Sequence, residues 1–367
     1  MEKVVSPTLR SNDSTTAAAN RKRPAAAAYQ EQFRRKLCLL GAGTGLLGLL
    51  ALIALGLGSY GLSPAEVLRA LFGGVEGPAR TVVLNIRLPR ILAAVASGWG
   101  MAVSGVAIQN LIKNPLGSPF TLGISQGAAF GASAAIVLFG AGIGETASWL
   151  SGVPVPIAAF GGAMAATLAI LALARFRRLS PEGIILAGVA LSSLFTSGTV
   201  LVQYLATETE LASVVFWSFG DVARSSKGEI GLTAGAGLLA SLWLWSARWD
   251  LNALAAGEEA ARGLGVPVDR LRIRGMMAAA LVAALVTAFH GVIGFLGLLA
   301  PHIGRKIWGA DHRLLIPGAG LVGALLLLGA DTLGRTAAGS GSLPVGVITS
   351  FMGAPLFLWL LIRRDGR

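Results

Sequence analysis

The chain of 367 residues is 54% hydrophobic and only 13% charged, with a mean hydropathy of +0.70. Soluble domains carry about twice that share of charge, so the composition excludes a soluble domain and indicates a polytopic membrane protein. The net charge of +12 does not indicate nucleic-acid binding, because the basic residues cluster at the ends of apolar runs, as positive cytoplasmic loops do. The single cysteine, Cys38, excludes an intramolecular disulfide.

The first element in chain order is a basic N-terminal segment. Residues 1–36 are rich in Ala, Ser and Arg, which predicts a disordered cytoplasmic tail. The apolar run that follows, Leu37–Leu57, is long enough to cross a bilayer and too long for the core of a cleaved signal peptide. We therefore expect a transmembrane domain over residues 37–365, with the N-terminus in the cytoplasm.

The apolar runs predict an all-α protein with about ten transmembrane helices and both termini in the cytoplasm. Residues between Arg274 and Arg305 include no Asp, Glu, Lys or Arg, and this run is too long for one helix, so Gly291 and Gly294 are taken to divide it. The predicted spans are Leu37–Leu57, Leu88–Leu111, Phe120–Gly140, Pro154–Ala174, Ile184–Ala206, Ile230–Trp249, one ending near Phe289, one starting near Val292, Leu314–Ala330 and Val345–Ile362.

Charges in the predicted loops support this topology and identify exceptions. Inner segments carry most of the Lys and Arg residues, as the positive-inside bias requires. Arg87, Arg90 and Arg335 lie on the outer side and therefore need another explanation. The longest polar segment between spans, residues 252–270, is predicted to form two short cytoplasmic helices, one of them around Ala256–Arg262.

No energy source is apparent within the chain. With these span limits no Asp, Glu, Lys or Arg lies deep in a span, which argues against an ion-coupled carrier. The phosphate-binding motif G-x-x-x-x-G-K-[ST] is absent, so the chain does not hydrolyse ATP through such a loop. A membrane enzyme would need a midplane cluster of His, Asp or Glu. We expect no cofactor or metal site and interpret His290, His302 and His312 as structural.

Five motifs in order resemble one family. They are RLPR at residues 87–90, GVAIQNLIKNPLGSPFTLGISQGAAFGA, LNALAAGEEAARGLGV, GVIGFLGLLAPHIGRKIWGADHRLLIPG and LPVGVITSFMGAPLFLWLL. Together they resemble the permease subunit of binding-protein-dependent ABC importers for iron chelates and cobalamin, the type II importers. The resemblance extends over roughly residues 45–365.

This resemblance implies a set of partners. It implies a homodimer of ten-helix subunits in the lipid of a bacterial inner membrane. Two cytoplasmic ATPase subunits and a periplasmic substrate-binding protein complete the complex, with no nucleic acid and no cofactor. The chain itself would be a transport subunit and not an enzyme.

The resemblance also implies roles for particular residues. Docking of the binding protein is expected at Arg87, Arg90 and Arg335, since a guanidinium can hold a carboxylate through two hydrogen bonds. A cytoplasmic gate is expected at Ser180, Pro181 and Glu182, in the loop Leu179–Gly183. Coupling to the ATPase is expected at Glu258, Glu259, Ala260, Arg262, Gly263 and Gly265.

The function expected from the resemblance is ATP-driven import of an iron chelate, haem or a ferric siderophore, by alternating access. Cobalamin is the alternative substrate within the same family. An ion-coupled secondary transporter is the alternative from another class, and transport by the purified chain with no ATPase present would favour it.

Overall fold

The described part of the chain is built from α-helices. The structure is a computed structural model that describes residues 13–58, 60–74, 77–141, 154–177, 180–337 and 342–362, and no β-strand occurs among them. The first helices are α1 (Asp13–Gly56), α2 (Pro64–Leu71), α3 (Pro78–Thr81), α4 (Leu88–Leu111), α5 (Ile124–Phe139), α6 (Val155–Arg177) and α7 (Pro181–Tyr204). The later ones are α8 (Glu208–Ser218), α9 (Lys227–Ser246), α10 (Arg248–Ala256), α11 (Glu258–Gly263), α12 (Val268–His290), α13 (Leu296–Trp308), α14 (His312–Ala337) and α15 (Val345–Ile362).

The helices reproduce the predicted order of spans. Six stretches of the described chain are long and apolar enough to cross a bilayer, and α9 with α10, bent by 63°, make a seventh. The helices α5 and α15 are shorter and apolar, and α13 has 13 residues. These ten segments follow the ten predicted spans along the chain, so the prediction of an all-α protein with about ten spans is confirmed.

Helix α1 begins earlier than the sequence suggested. It has 44 residues and starts at Asp13, so the structure is helical where a disordered tail was expected before residue 37. Alanine, the strongest helix former, is frequent between residues 17 and 28, which accounts for the difference. On the cytoplasmic side Arg313 Nη2 donates to the Tyr29 hydroxyl at 2.5 Å and Trp308 Nε1 donates to the Lys36 carbonyl at 3.1 Å.

The chain is extended between α12 and α13, and the second of these starts later than predicted. Gly291 has a φ of +76° and Phe295 a φ of +63°, so helix resumes at Leu296 instead of near Val292. The Gly291 backbone lies against the Trp217 carbonyl at the end of α8, where a side chain would overlap it. Non-helical backbone in a membrane requires burial in protein, and residues 290–294 are buried or half-buried.

Helix α4 is the centre of the bundle. It contacts α9, α12, α13 and α14, while α5 packs mainly on α6 and α7. Gly98 of α4 lies against Gly323 of α14, and Gly105 lies against Gly297 of α13, with backbone touching backbone in both places. Lipid provides no hydrophobic drive for helices to associate, so such close approach is what holds them together.

Filling one of these contacts should destabilise the bundle. A Cβ at Gly105 would overlap the Gly297 carbonyl oxygen, and neither backbone can move without shifting a helix. We expect Gly105→Ala to cost roughly 1–3 kcal/mol, the usual cost of overpacking, and to lower the temperature at which the detergent-purified protein loses its monodisperse peak. Gly235→Ala in α9 is the matched control, because nothing lies within 4 Å of its added methyl group. Equal behaviour of the two variants would contradict the packing described here.

Candidate partner-docking and coupling sites

The first of the three outer arginines, Arg87, is an interior residue. It is only 4% exposed, and its Nη1 donates to the carbonyls of Leu55 at 2.6 Å and Gly56 at 2.9 Å. Its Nη2 donates to the Tyr60 carbonyl at 2.5 Å. These are carbonyls at and beyond the C-terminus of α1, which lack helical partners and carry partial negative charge. A π-helical segment, Val82–Arg87, precedes α4 and ends at this arginine.

The docking role expected of Arg87 therefore stays a prediction, and it would require the guanidinium to leave these carbonyls. A side chain whose donors are occupied by buried carbonyls does not present a fork to an outside carboxylate. Docking was expected from the family resemblance, and the position of this arginine on the outer side, against the charge bias, agreed with it. The structure provides another explanation, since Arg87 of the α4 span caps the end of α1.

The other two arginines share one buried carboxylate. Asp331 of α14 has a side chain with no exposed surface, and its Oδ1 accepts from Arg90 Nε at 2.8 Å. Its Oδ2 lies 3.2 Å from Arg335 Nε, one helical turn further along α14. Arg335 also donates to the carbonyls of Leu57 at 3.3 Å and Ala54 at 3.2 Å. We call Arg90, Asp331 and Arg335 the outer ion network.

Arg90 has two further neighbours on its Nη2 atom. That nitrogen donates to Ser342 Oγ at 2.9 Å and lies 3.8 Å from Asp221 Oδ1. Asp221 and Asp331 lie outside the predicted spans, with Asp331 directly after the span Leu314–Ala330 on the predicted outer side, and neither was expected to have a role. A carboxylate beside outer arginines was the available signal, but only the fold brings α4, α14 and the segment after α8 together.

On the cytoplasmic side the predicted coupling residues form a second charged cluster. Glu258 accepts from Arg262 at 3.0 Å and from Arg272 at 2.8 Å, and Lys113 lies 4.0 Å away. Burial raises the pKa of the Glu258 carboxyl, but these hydrogen bonds and cationic neighbours outweigh burial, and the pKa lies below its ordinary value. Arg262 also contacts Asp269 at 3.2 Å. The cluster fixes α11 to the start of α12.

The remaining predicted coupling residues lie on the exposed side of the same segment. The residues exposed to solvent in this segment include Glu259, Ala260, Gly263 and Gly265. Gly265 ends α11 with a φ of +81°, the left-handed conformation typical of a helix C-terminus. Leu264, which was not among the predicted coupling residues, is 75% exposed beside it. A large apolar side chain in an otherwise polar loop was the signal that could have identified it.

The predicted gate residues stand close to this cluster. Ser180 Oγ accepts from the Gly183 amide at 3.2 Å and caps α7, which starts at Pro181 and has Glu182 in its first turn. Leu179 lies outside the described residues. A cavity of about 720 Å³ has Ser180 and Arg175 on one side and Glu258, Arg262 and Arg272 on the other. The fold thus brings the predicted gate and the predicted coupling segment to one cavity.

The histidines expected to be structural have polar partners within the protein. His290 is fully buried, with Nε2 3.0 Å from Ser225 Oγ and Nδ1 3.0 Å from the Val286 carbonyl. His312 Nδ1 lies 2.7 Å from Asn252 Oδ1. Within the described residues no group of three or more His, Cys, Asp or Glu side chains is arranged to hold a metal ion.

Comparison with known proteins gives these sites a context. Residues 46–363 match the model of the FecCD transport family. The chain belongs to the FecCD transport family. The hemin transport system permease HmuU of Yersinia pestis is 38% identical over 87% of this chain and 94% of its own length. The vitamin B12 import permease BtuC of Salmonella typhi is 37% identical over 92% of this chain and 98% of its own length.

A solved structure agrees with the family assignment. A metal-chelate type ABC transporter in an inward-facing conformation superposes with a TM-score of 0.75 at 33% identity, over 89% of this chain and 99% of that one. An ABC transporter permease protein of Methanocaldococcus jannaschii is 48% identical over 85% of the chain and 90% of its own length. This FecCD chain is therefore an ABC importer permease in the inner membrane, a transport subunit and not an enzyme.

The capping role of Arg87 leads to a prediction for this FecCD permease. Arg87→Ala leaves buried carbonyls at the end of α1 without donors, which costs about 1–3 kcal/mol for each unsatisfied group. We expect lower thermal stability of the purified protein and faster proteolysis of the segment that follows α1. Arg80→Ala is the control, because that side chain is exposed and also lies before α4. An Arg87→Ala variant as stable as Arg80→Ala would contradict the capping role and favour docking for Arg87.

Proposed function

We propose that this permease imports an iron chelate, haem or a ferric siderophore. The observation that carries the proposal is the joint similarity to a hemin permease at 38% identity and to a metal-chelate type transporter at a TM-score of 0.75. The vitamin B12 permease is similar to nearly the same degree, so cobalamin is the second candidate. All three substrates are large, and the separate binding protein would make most of the choice among them.

The working complex would be a homodimer of this chain with two ATPase subunits inside and one binding protein outside. ATP binding closes the ATPase pair, and this motion opens the permease to the outside. The chelate enters from the docked binding protein, and hydrolysis resets the inward-facing state. No covalent chemistry on the substrate takes place in this chain.

Docking would use the outer ion network, with Arg90 as the direct contact and Arg335 behind it, since both Nη groups of Arg335 donate to carbonyls at the end of α1. Both side chains are partly exposed, at 13% and 10%, and lie on the predicted outer side of the membrane. Exposed ion pairs contribute about 1 kcal/mol or less each, so a homodimer with two such networks would gain affinity by engaging both. Acidic residues on the binding protein are the expected complement.

Coupling would use α11, with Leu264 as an apolar contact for the ATPase. The Glu258 carboxylate joins α11 to Arg272 of α12, and Arg272 Nε donates to the Leu111 carbonyl at the end of α4 at 3.2 Å. A push on α11 is therefore transmitted to two spans through short polar contacts. The gate at Ser180–Glu182 would respond through the cavity that both sites share.

An ion-coupled carrier is the alternative. The sequence argued against it, but one observation in the structure favours it. Asp331 was expected at the outer end of a span, but α14 continues to Ala337, so this carboxylate lies within the helix and is buried. Buried acids inside spans are typical of proton-coupled transporters. Asp331 differs from such residues because two guanidiniums compensate its charge.

The substrate is tested by reconstituting the permease with its ATPase in proteoliposomes that enclose ATP. Binding proteins loaded with haem, a ferric siderophore or cobalamin are added outside in turn, and accumulation of the ligand is measured. We expect uptake with a haem or siderophore binding protein and none with the cobalamin protein. The empty binding protein and liposomes without ATPase are the controls. Uptake of cobalamin alone would replace the iron-chelate assignment and leave the transporter class unchanged.

A further inference from the structure

Arg90 has two carboxylate neighbours of unlike character. Asp331 is completely buried and meets the Nε of Arg90 at 2.8 Å. Asp221, in the segment between α8 and α9, is 43% exposed and lies 3.8 Å from the Nη2 of the same arginine. The contact of Arg90 with Asp331 is thus short and enclosed, whereas its contact with Asp221 is long and open to water.

This difference makes the two ion pairs of Arg90 unequal in strength. Removing Asp331 would leave Arg335 without its carboxylate and Arg90 with only the long contact to Asp221, which is costly for guanidiniums that are mostly buried. An exposed pair at 3.8 Å is weak and screened by salt. Asp221 therefore separates from Arg90 at little cost, whereas Asp331 does not.

Asp221 also keeps its place without Arg90. Its amide donates to the His290 carbonyl at 2.7 Å, and its Oδ1 accepts from the Ala223 amide at 2.9 Å. A second cation is close by: burial lowers the pKa of Arg224, and the neighbouring Asp221 carboxylate opposes that shift. Loss of the contact with Arg90 thus leaves Asp221 held by backbone and near another arginine.

We propose that Asp221 is an exchangeable counter-ion of Arg90, which a carboxylate of the docking protein replaces. Asp331 is the positioning residue that holds the Nε edge of Arg90 throughout. The fork geometry supports this division, because a guanidinium bound through Nε keeps its Nη edge for a second carboxylate, which would take the places of Ser342 Oγ and Asp221 on Nη2. The inference rests on the docking role proposed above and adds that docking is an exchange of one carboxylate for another.

Exchange has a consequence for specificity. A partner must bring a carboxylate to displace Asp221, since a neutral surface would leave Arg90 paired as it is. Asp221 thereby weakens docking of the right partner and disfavours partners without an acidic group at that position. Removing only its charge should tighten docking, while removing the charge of Asp331 should loosen it.

The test uses Asp221→Asn in the permease–ATPase complex in nanodiscs. Asparagine retains an oxygen for the Ala223 amide, so the local turn is preserved. Glu208→Gln is the matched control, because it removes one exposed charge at the start of α8, which the topology places on the same side, away from Arg90. Asp331→Asn is the second variant, and it is used only if its gel-filtration profile matches the parent. The probe is the binding protein selected in the uptake assay, and its dissociation constant is measured by biolayer interferometry.

A second readout needs no partner. Phenylglyoxal modifies accessible guanidiniums, and mass spectrometry reports the rate at each arginine. We expect faster modification of Arg90 in Asp221→Asn than in the parent, with Arg87 unreactive in both because carbonyls occupy its donors.

The two Asp→Asn variants should change the affinity for the binding protein in opposite directions. Asp221→Asn should tighten binding roughly fivefold or more, in the range of ordinary coupling energies, and Asp331→Asn should weaken it. Glu208→Gln should change binding less than Asp221→Asn. Tightening by Glu208→Gln equal to that by Asp221→Asn, or tightening by Asp331→Asn, would overturn the exchange. Arg90→Ala separates the two proposals. Unchanged binding in Arg90→Ala would remove the docking role itself. Weakened binding in Arg90→Ala, together with an unchanged dissociation constant in Asp221→Asn, would remove only the exchange.

Discussion

Close backbone contact between α4 and its neighbours is the constraint on which the structure depends. Lipid offers no hydrophobic gain for bringing two apolar helices together, so the helices associate where small residues let their backbones meet. Gly98 against Gly323 and Gly105 against Gly297 provide such meetings along α4. Because α14 lies that close, Arg90 of α4 reaches Asp331 of α14 at 2.8 Å, and the outer ion network forms.

At its cytoplasmic end the same helix, α4, contacts α10 and α12, which flank the proposed coupling segment. Asn110 Nδ2 donates to the Leu251 carbonyl of α10 at 3.0 Å, and the Leu111 carbonyl accepts from Arg272 of α12. One rigid span thus has the proposed docking site at its outer end and the proposed coupling segment at its inner end. This arrangement gives a physical route between a binding protein outside and an ATPase inside, without charged groups along the middle of α4.

The sequence predicted the class and the order of the spans well, because hydropathy and loop charge determine them directly. It could not predict that Arg87 caps α1, since that depends on a contact between residues 31 and 32 positions apart across two helices. The place of Asp331 was also missed, because a charge in an apolar run looks like the end of a span unless its partners are known. In both cases the charge is buried in the structure, and only the tertiary fold supplies the groups that compensate it.

Transport by this permease should draw its energy from ATP hydrolysed by a separate subunit, and the dependence of uptake on the energy source distinguishes this from an ion-coupled carrier. The permease is reconstituted with and without its ATPase, and uptake of the selected chelate is recorded under two conditions. One has ATP inside and a protonophore present, and the other has an inward proton gradient and no ATP. We expect uptake only in the first condition and only with the ATPase. Uptake in the second condition without the ATPase, lost in Asp331→Asn, would contradict this expectation and establish an ion-coupled carrier.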